Sequence, residues 1–330
     1  MICPNCQTNL RHTERTDRRC SRCHKPFALE PKEDPFGMHD ERMRRLVEKL
    51  RAEQGLSYTG QQLYYAAGRR YLPSVSQTWG TLFGVLGVFF VMVGLGGTVA
   101  GVIPVAAGVP GTVLAMLALT GLMFLARPWF LRRATVRMTH TYDTFRTDVL
   151  EVWQRRYGAR PPGLIPDDRP LPTVPDPRLA LLCPDRPTLA CLAANDAANA
   201  WSMALCERID DLPPDVPVLI LHDAAVPGFD YAARVRAALG PRAVAIGLTP
   251  AMVRTAVALR EPLDPATEAP PSLPEQDRRW LLDGWWTPLS ALPPARVLTV
   301  VRRGVERVEA AADPDRRAAR QVGFLTWPSS

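Results

Sequence analysis

The sequence predicts a multidomain chain of three unlike parts: a small four-cysteine metal module, a two-helix transmembrane hairpin and a C-terminal α/β open sheet. Three observations predict it. Two CxxC pairs lie within the first 23 residues. No Asp, Glu, Lys, Arg or His occurs from Trp79 to Ala126, a run of 48 residues. Beyond residue 178, short apolar runs alternate with helical patterns. The expected boundaries are 1–30 for the metal module and 31–78 for a linker with juxtamembrane helices. Two membrane helices follow over 79–126, then a juxtamembrane helix over 127–160. A Pro-rich linker over 161–177 leads to an α/β domain with a helical tail over 178–330.

Charge follows the same division. The net charge is +7, but residues 1–78 and 127–160 are each net +5, whereas 161–330 is net −3. The positive charge therefore flanks the apolar run. That placement favours a bilayer partner over nucleic acid as its cause. Seven cysteines in 330 residues are too sparse for a secreted disulfide scaffold.

The first part is read from Cys3-Pro4-Asn5-Cys6 and Cys20-Ser21-Arg22-Cys23, separated by thirteen residues. Each CxxC sets two thiolates on one turn, and the spacer lets a hairpin bring the turns together. So short a segment cannot bury a core, so bound metal must supply folding energy. The pattern resembles the bacterial zinc ribbon over residues 1–30, with CPxC first and Phe27 soon after the second pair. The resemblance implies structural zinc on Cys3, Cys6, Cys20 and Cys23. A redox dithiol is the rival reading, and His12 or His24 could replace a thiol. Arg11, Arg15, Arg18, Arg19 and Arg22 make the spacer basic, either as a solvated hairpin or as a nucleic-acid surface.

Pro31 to Gly37 is a linker. After Asp40, Met43, Leu46, Val47 and Leu50 share one helical face, and Gly55 ends it. Thr59 to Arg70 reads as a second short helix. Tyr58, Tyr64, Tyr65 and Tyr71 either lie at headgroup level or pack within a helical pair.

The crossings are expected at Trp79–Ala100 and Val105–Ala126, each about 33 Å long against a hydrocarbon core of about 30 Å. Pro104 and Pro110 place the turn. Arg69 and Arg70 precede the pair, and Arg127, Arg132, Arg133 and Arg137 follow it. Both flanks are positive, so both termini are expected in the cytosol of a bacterial inner membrane. Reduced thiols for zinc agree. Gly80-xxx-Gly84 and Gly97-xxx-Gly101 suit packing within the hairpin or a homodimer face. No ionisable group lies in the run, which argues for anchoring over transport. Tyr142, Phe145, Val149, Val152 and Trp153 then keep a helical period, read as a helix continuing off the bilayer to Gly158. Pro161–Pro177 holds seven prolines and reads as an extended spacer.

In the last part, strands are expected at Leu179–Cys183, Trp201–Cys206, Val216–Leu221 and Ala243–Leu248. Helices are expected at Thr188–Ala194, Tyr231–Leu239 and Pro250–Leu259, with a closing helix on Val297, Leu298, Val301, Val305 and Val308. The tail Val322–Trp327 is apolar enough to dock back. Ligands of such sheets gather at the carboxyl ends of the strands, which singles out Asp185, His222 and Asp223. Cys183, Cys191 and Cys206 read as buried core thiols.

The segments VLILHDAAVPGFDYAARV and LPEQDRRWLLDGWWTPLSALPPARVL resemble the Toprim domain of the topoisomerase VI A subunit, over residues 179–298. The resemblance implies a Toprim-like sheet. In active members a Glu after the first strand and a DxD pair hold magnesium. Here Cys183-Pro184-Asp185 replaces the Glu segment, and Ala225 takes the second DxD position. Fold is therefore implied more than activity. Three functions stay open: a membrane-held binding or scaffold protein with a cytosolic protein partner, a magnesium-dependent phosphoryl-transfer or nuclease-like enzyme using Asp185 and Asp223, and a nucleic-acid-binding ribbon protein.

Overall fold

In the computed structural model, residues 1–73, 75–101, 104–264 and 266–312 are described. The chain opens on two knuckles. Antiparallel bridges Ile2↔Asn9 and Arg19↔Pro26 each close a turn around one CxxC pair. Leu10 is buried with the cysteines, and a buried Arg15–Glu30 ion pair at 2.9 Å ties the spacer to the exit.

Helix α1 (Asp40–Arg51) buries Met43, Val47 and Leu50. His39 is its N-cap, its Nδ1 accepting the Arg42 amide at 3.2 Å. Asp40 points back instead: its carboxylate accepts the Ala28 and Leu29 amides and the Tyr157 hydroxyl. This fastens the ribbon to α1. Strand β1 (Tyr58–Thr59) leads into α2 (Gly60–Gly68), which starts with a Thr59/Gln62 capping box. Tyr58 and Tyr64 are buried, and Tyr64 packs edge-on to Phe36 and Phe145. For Tyr58 and Tyr64 the packed reading is the one formed, whereas Tyr71 is exposed.

Helices α3 (Val75–Val99) and α4 (Val105–Arg133) run longer than the expected crossings. They contain Thr78–Val99 and Gly108–Phe130, 22 and 23 residues long and apolar enough to cross a membrane. Pro110 and Pro128 both lie inside α4, so neither marks its ends. The helices touch where a glycine meets a threonine: Gly94 against Thr112, and Gly108 against Thr98. Gly80, Gly84 and Gly101 face open space. The sequence pattern pointed at other glycines because spacing alone does not say which face meets the partner helix.

The helix expected over 127–160 does not continue unbroken from α4. Helix α4 ends at Arg133 with Ala134 as its C-cap, and Val136 pairs with Arg260 before α5 (Tyr142–Phe145) begins at a Thr141 cap. A π-helical stretch, Arg146–Glu151, joins α5 to α6 (Val152–Tyr157), which Gly158 ends at φ +71°. Phe145, Val149 and Trp153 are buried against Met43, Val47, Leu63 and Tyr64. Segments from both sides of the apolar pair thus share one core.

The Pro-rich stretch is not a free spacer. Its strand β2 (Leu164–Ile165) pairs in parallel with β1, and Asp167 accepts the Gly60 amide at 2.8 Å. Leu171 and Val174 pack on the α/β core. Seven prolines in seventeen residues work against a helix here but leave an extended chain free to pair at its remaining amides and to bury apolar side chains.

The α/β domain runs β3 (Leu179–Leu182), α7 (Arg186–Ala194), α8 (Ala197–Ala200), β4 (Met203–Cys206), β5 (Val218–Ile220), α9 (Val226–Leu239) and β6 (Ala243–Ala245). The strands form one parallel sheet ordered β4-β3-β5-β6. Leu181 and Leu219 face Leu189, Leu192 and Val301, while Leu182 and Ile220 face Ala232 and Val235 on α9. Both faces are covered, which is why VPVLIL reads as a continuous apolar run. The expected helix from Pro250 to Leu259 shrinks to one turn, α10 (Pro250–Val253). The chain then extends into β7 (Leu259–Arg260), antiparallel to β8 (Trp285–Trp286), with α11 (Glu275–Leu282) between them. Helix α12 (Pro294–Ala312) closes the domain through Val297, Val301 and Val305. The tail Val322–Trp327 lies outside the described residues.

Candidate functional site

The four thiols of Cys3, Cys6, Cys20 and Cys23 converge, their Sγ atoms all within 4.8 Å of one another. Cys3–Cys23 and Cys6–Cys20 are each 3.7 Å apart. Four sulfurs about 2.3 Å from a tetrahedral zinc lie about 3.8 Å apart along each edge, so the spacing fits zinc and is far too long for disulfides. Backbone amides of Asn5 and Cys23 point at the Cys3 and Cys20 sulfurs at 3.4 and 3.5 Å, which favours thiolate. The donor set is therefore positioned to hold a metal ion and compatible with structural zinc.

The second site is the crevice where the sheet changes direction. From β3 the chain winds through α7 to β4, and from β5 through α9 on the opposite face to β6. Such a switch point opens between the carboxyl ends of β3 and β5. Asp185 and Asp223 sit there, and both are half-buried. Asp185 is the N-cap of α7; its Oδ2 accepts the Thr188 amide at 3.1 Å and the Thr188 hydroxyl. Asp223 Oδ1 accepts the Leu289 amide at 2.7 Å, holding the segment before α12. Burial pushes the Asp223 carboxyl up to about 6, and the Asp185 charge adds to the rise. Burial also raises Asp185, against the pull of its Thr188 bonds.

His222 does not form a dyad with Asp223. Its Nδ1 lies 2.8 Å from the Asp223 backbone carbonyl, so this nitrogen carries the proton and donates it. The ring is 3% exposed, packed on Gly247 and 4.9 Å from the Phe229 ring. Burial lowers its pKa. This is a neutral, wedged side chain.

The structure adds residues that the sequence did not single out for this crevice. Tyr65 of α2 is near enough to feel both carboxylates: burial raises its phenol, and the Tyr64, Asp223 and Asp185 groups add to that. Asp167 bears on Asp185 from the Pro-rich segment. A cavity of about 290 Å³ opens beside Asp223, lined by Gly228, Glu261, Leu281, Trp285 and Trp286 among others. No local pattern marks Tyr65 or Asp167, since both arrive from elements far away in sequence. Cys183, Cys191 and Cys206 are buried, and burial raises all three thiols, Cys191 to about 12 and Cys206 to about 11. Among the described residues, the four N-terminal cysteines are the one group of three or more Cys, His, Asp or Glu side chains close enough to share an ion. No protein-family model, no curated protein and no solved structure matches the chain.

Proposed function

We propose that the protein is an integral inner-membrane scaffold. In this reading a zinc ribbon, the juxtamembrane helices and a degenerate Toprim-like α/β domain form one cytosolic binding platform on a transmembrane hairpin. The observation that carries it is the shared core around Phe36, Tyr64 and Phe145. Residues on either side of α3–α4 pack together there, which requires an even number of crossings. The exposure of the hairpin supports the membrane: Met92, Phe124 and Leu125 are 69%, 76% and 75% exposed, an apolar surface that water does not tolerate at this extent. The Arg-rich flanks and the thiolate site both favour the cytosolic side.

The acidic residues of the crevice are read as braces. Asp167 holds α2, Asp185 holds α7 and Asp223 holds Leu289. Their oxygens are already taken by backbone amides, and among the described residues no third acid joins Asp185 and Asp223 within reach of a shared ion, whereas magnesium needs several oxygen ligands. That argues against the phosphoryl-transfer reading. The ribbon arginines are also engaged internally: Arg15 with Glu30, Arg18 with Glu33 and Arg22 with Thr8, which weakens the nucleic-acid reading.

Protease digestion of intact spheroplasts tests the topology. The ribbon and the α/β domain should both survive until the membrane is permeabilised, and cleavage of either from outside sinks the proposal. Calorimetric titration of the full chain in detergent with magnesium and manganese tests the scaffold role. Saturable binding that Asp223→Asn abolishes would replace it with the enzyme.

A further inference from the structure

One cavity has a composition unlike the others. About 370 Å³ in volume, it lies between α1, α2, the loop after α10 and the start of α12. Lys49, Arg69 and Arg296 line it, and no carboxylate does. The other described cavities each carry at least one acid: Glu151 and Asp167, Glu30 and Asp34, Asp223 and Glu261, or Asp17. Arg69 and Arg296 converge on one residue, Arg69 donating to the Thr255 carbonyl at 2.7 Å and Arg296 to the Thr255 hydroxyl at 3.4 Å. Among the described residues, none of these three cations is in an ion pair with a carboxylate. Bringing like charges together costs energy that a bound anion recovers. The first turn of the 19-residue α12 opens on the same space and adds its positive end. Apart from the neutral polar Gln62 and Thr255, the rest of the wall is apolar and includes Leu46, Leu50, Ala66 and Val257.

We infer that this cavity binds a phosphate-bearing anion, with guanidinium and ammonium groups on the phosphate and the apolar wall on the carbon part. Guanidinium forks match phosphate oxygens, and the lysine adds a point charge. Arg69 lies just before α3, so a phospholipid headgroup and a soluble phosphate ester are the two sources with this chemistry. A ligand here would cement the N-terminal helices to the α/β domain. The site stands apart from the membrane reading, because inorganic phosphate in detergent probes it whether or not α3 and α4 cross a bilayer.

The test is calorimetry of the full chain in detergent with inorganic phosphate, at constant ionic strength against chloride. It is paired with reconstitution into phosphatidylcholine vesicles with and without phosphatidic acid. Lys49→Gln and Arg296→Gln probe the cavity, and Arg303→Gln, exposed on α12, removes the same charge elsewhere. The expected result is saturable binding, weakened about tenfold by each cavity variant and unchanged in Arg303→Gln. A preference for phosphatidic acid lost in the same variants identifies a lipid source; phosphate binding without that preference identifies a soluble one. Lys49→Gln touches no internal hydrogen bond among the described residues, so it reads the site even if Arg296→Gln loosens the fold. Absence of both phosphate binding and lipid preference overturns the inference. So does equal weakening in Arg303→Gln.

Discussion

Val136 and Arg260 exchange both of their backbone hydrogen bonds, at 2.9 and 2.8 Å. Through this pair, the chain leaving α4 is paired with the edge of the small β7–β8 sheet. The Arg260 side chain strengthens the joint, donating to the Asp283 carbonyl at 2.7 Å and the Ala134 carbonyl at 3.2 Å, with Trp285 beside its guanidinium. Arg260 is 6% exposed. The α/β domain is therefore seated at the foot of the hairpin instead of hanging from a linker.

Arg260→Ala should loosen that seat. It leaves the Asp283 and Ala134 carbonyls without this donor and empties the space of a buried side chain, a cost of about 1–3 kcal/mol. The main-chain pair with Val136 remains, so the domain itself should stay folded. Limited proteolysis is expected to cut first within residues 134–141, and Arg260→Lys should restore only part of the protection, having lost the fork. Unchanged protection in Arg260→Ala would mean that the backbone pair alone holds the joint.

The metal site should be structural. One zinc per chain is expected by metal analysis, falling to none in Cys20→Ser. Because Asp40 of α1 caps the amides of Ala28 and Leu29, metal loss should unfold residues 1–27 and leave α1 in place. Chelation should therefore expose the ribbon to protease while leaving the helical signal of the rest intact.

Asp223 gives a pH dependence with a defined sign. Its carboxyl is lifted from 3.8 to about 6 in the fold, so the folded state holds a proton that the unfolded state has lost. The stability that Asp223 contributes is greatest below about pH 4, falls as pH rises to about 6 and is then level, a loss of up to about 3 kcal/mol. Asp223→Asn keeps an oxygen for the Leu289 amide and removes the charge. It should melt higher than the parent at pH 7 and match it near pH 4. Fluorescence of Trp285 and Trp286, which line the same cavity, follows the transition. A variant that melts lower at pH 7 would mark the ionised carboxylate as a working group.

Gly247 and His222 should be coupled. A Cβ at Gly247 would overlap the buried imidazole, and Gly247→Ala should cost about 1–3 kcal/mol. His222→Ala opens a void at the same place. The double variant should be more stable than the sum of the two single losses by at least about 1 kcal/mol, measured as a thermal cycle. Simple additivity would mean that the ring moves aside at no cost.

How far the sequence could be read follows from where each signal resides. The cysteine spacing, the uncharged run and the alternation of VPVLIL with its flanking helices are local, so the metal module, the apolar pair and the parallel sheet were visible. The placement of Asp185 and Asp223 at strand ends was also visible, because it needs only the strand boundaries. The pairing of Leu164 with Tyr58, the bond from the Gly60 amide to Asp167 and the Val136–Arg260 joint are contacts between distant segments. No period or motif encodes them. The Pro161–Pro177 stretch misleads for the same reason: composition disfavours helix there, but only the partner strand decides that it docks.

The hairpin offers the sharpest contrast between equivalent residues. Gly94 lies against Thr112, where any side chain would enter the space held by the threonine, whereas Gly84 meets nothing within 4 Å. Both sit in α3, and both look alike in sequence. Gly94→Val should separate the two helices and lower the melting temperature of the detergent-solubilised chain by several degrees, for a loss of about 1–3 kcal/mol. Gly84→Val should leave the melt of a single chain unchanged. If Gly84→Val instead lowers the melt and shifts the chain to a smaller species in size-exclusion chromatography, its open face is the contact between two copies. Equal effects from both glycines without a change in size would mean that α3 and α4 pack in another register.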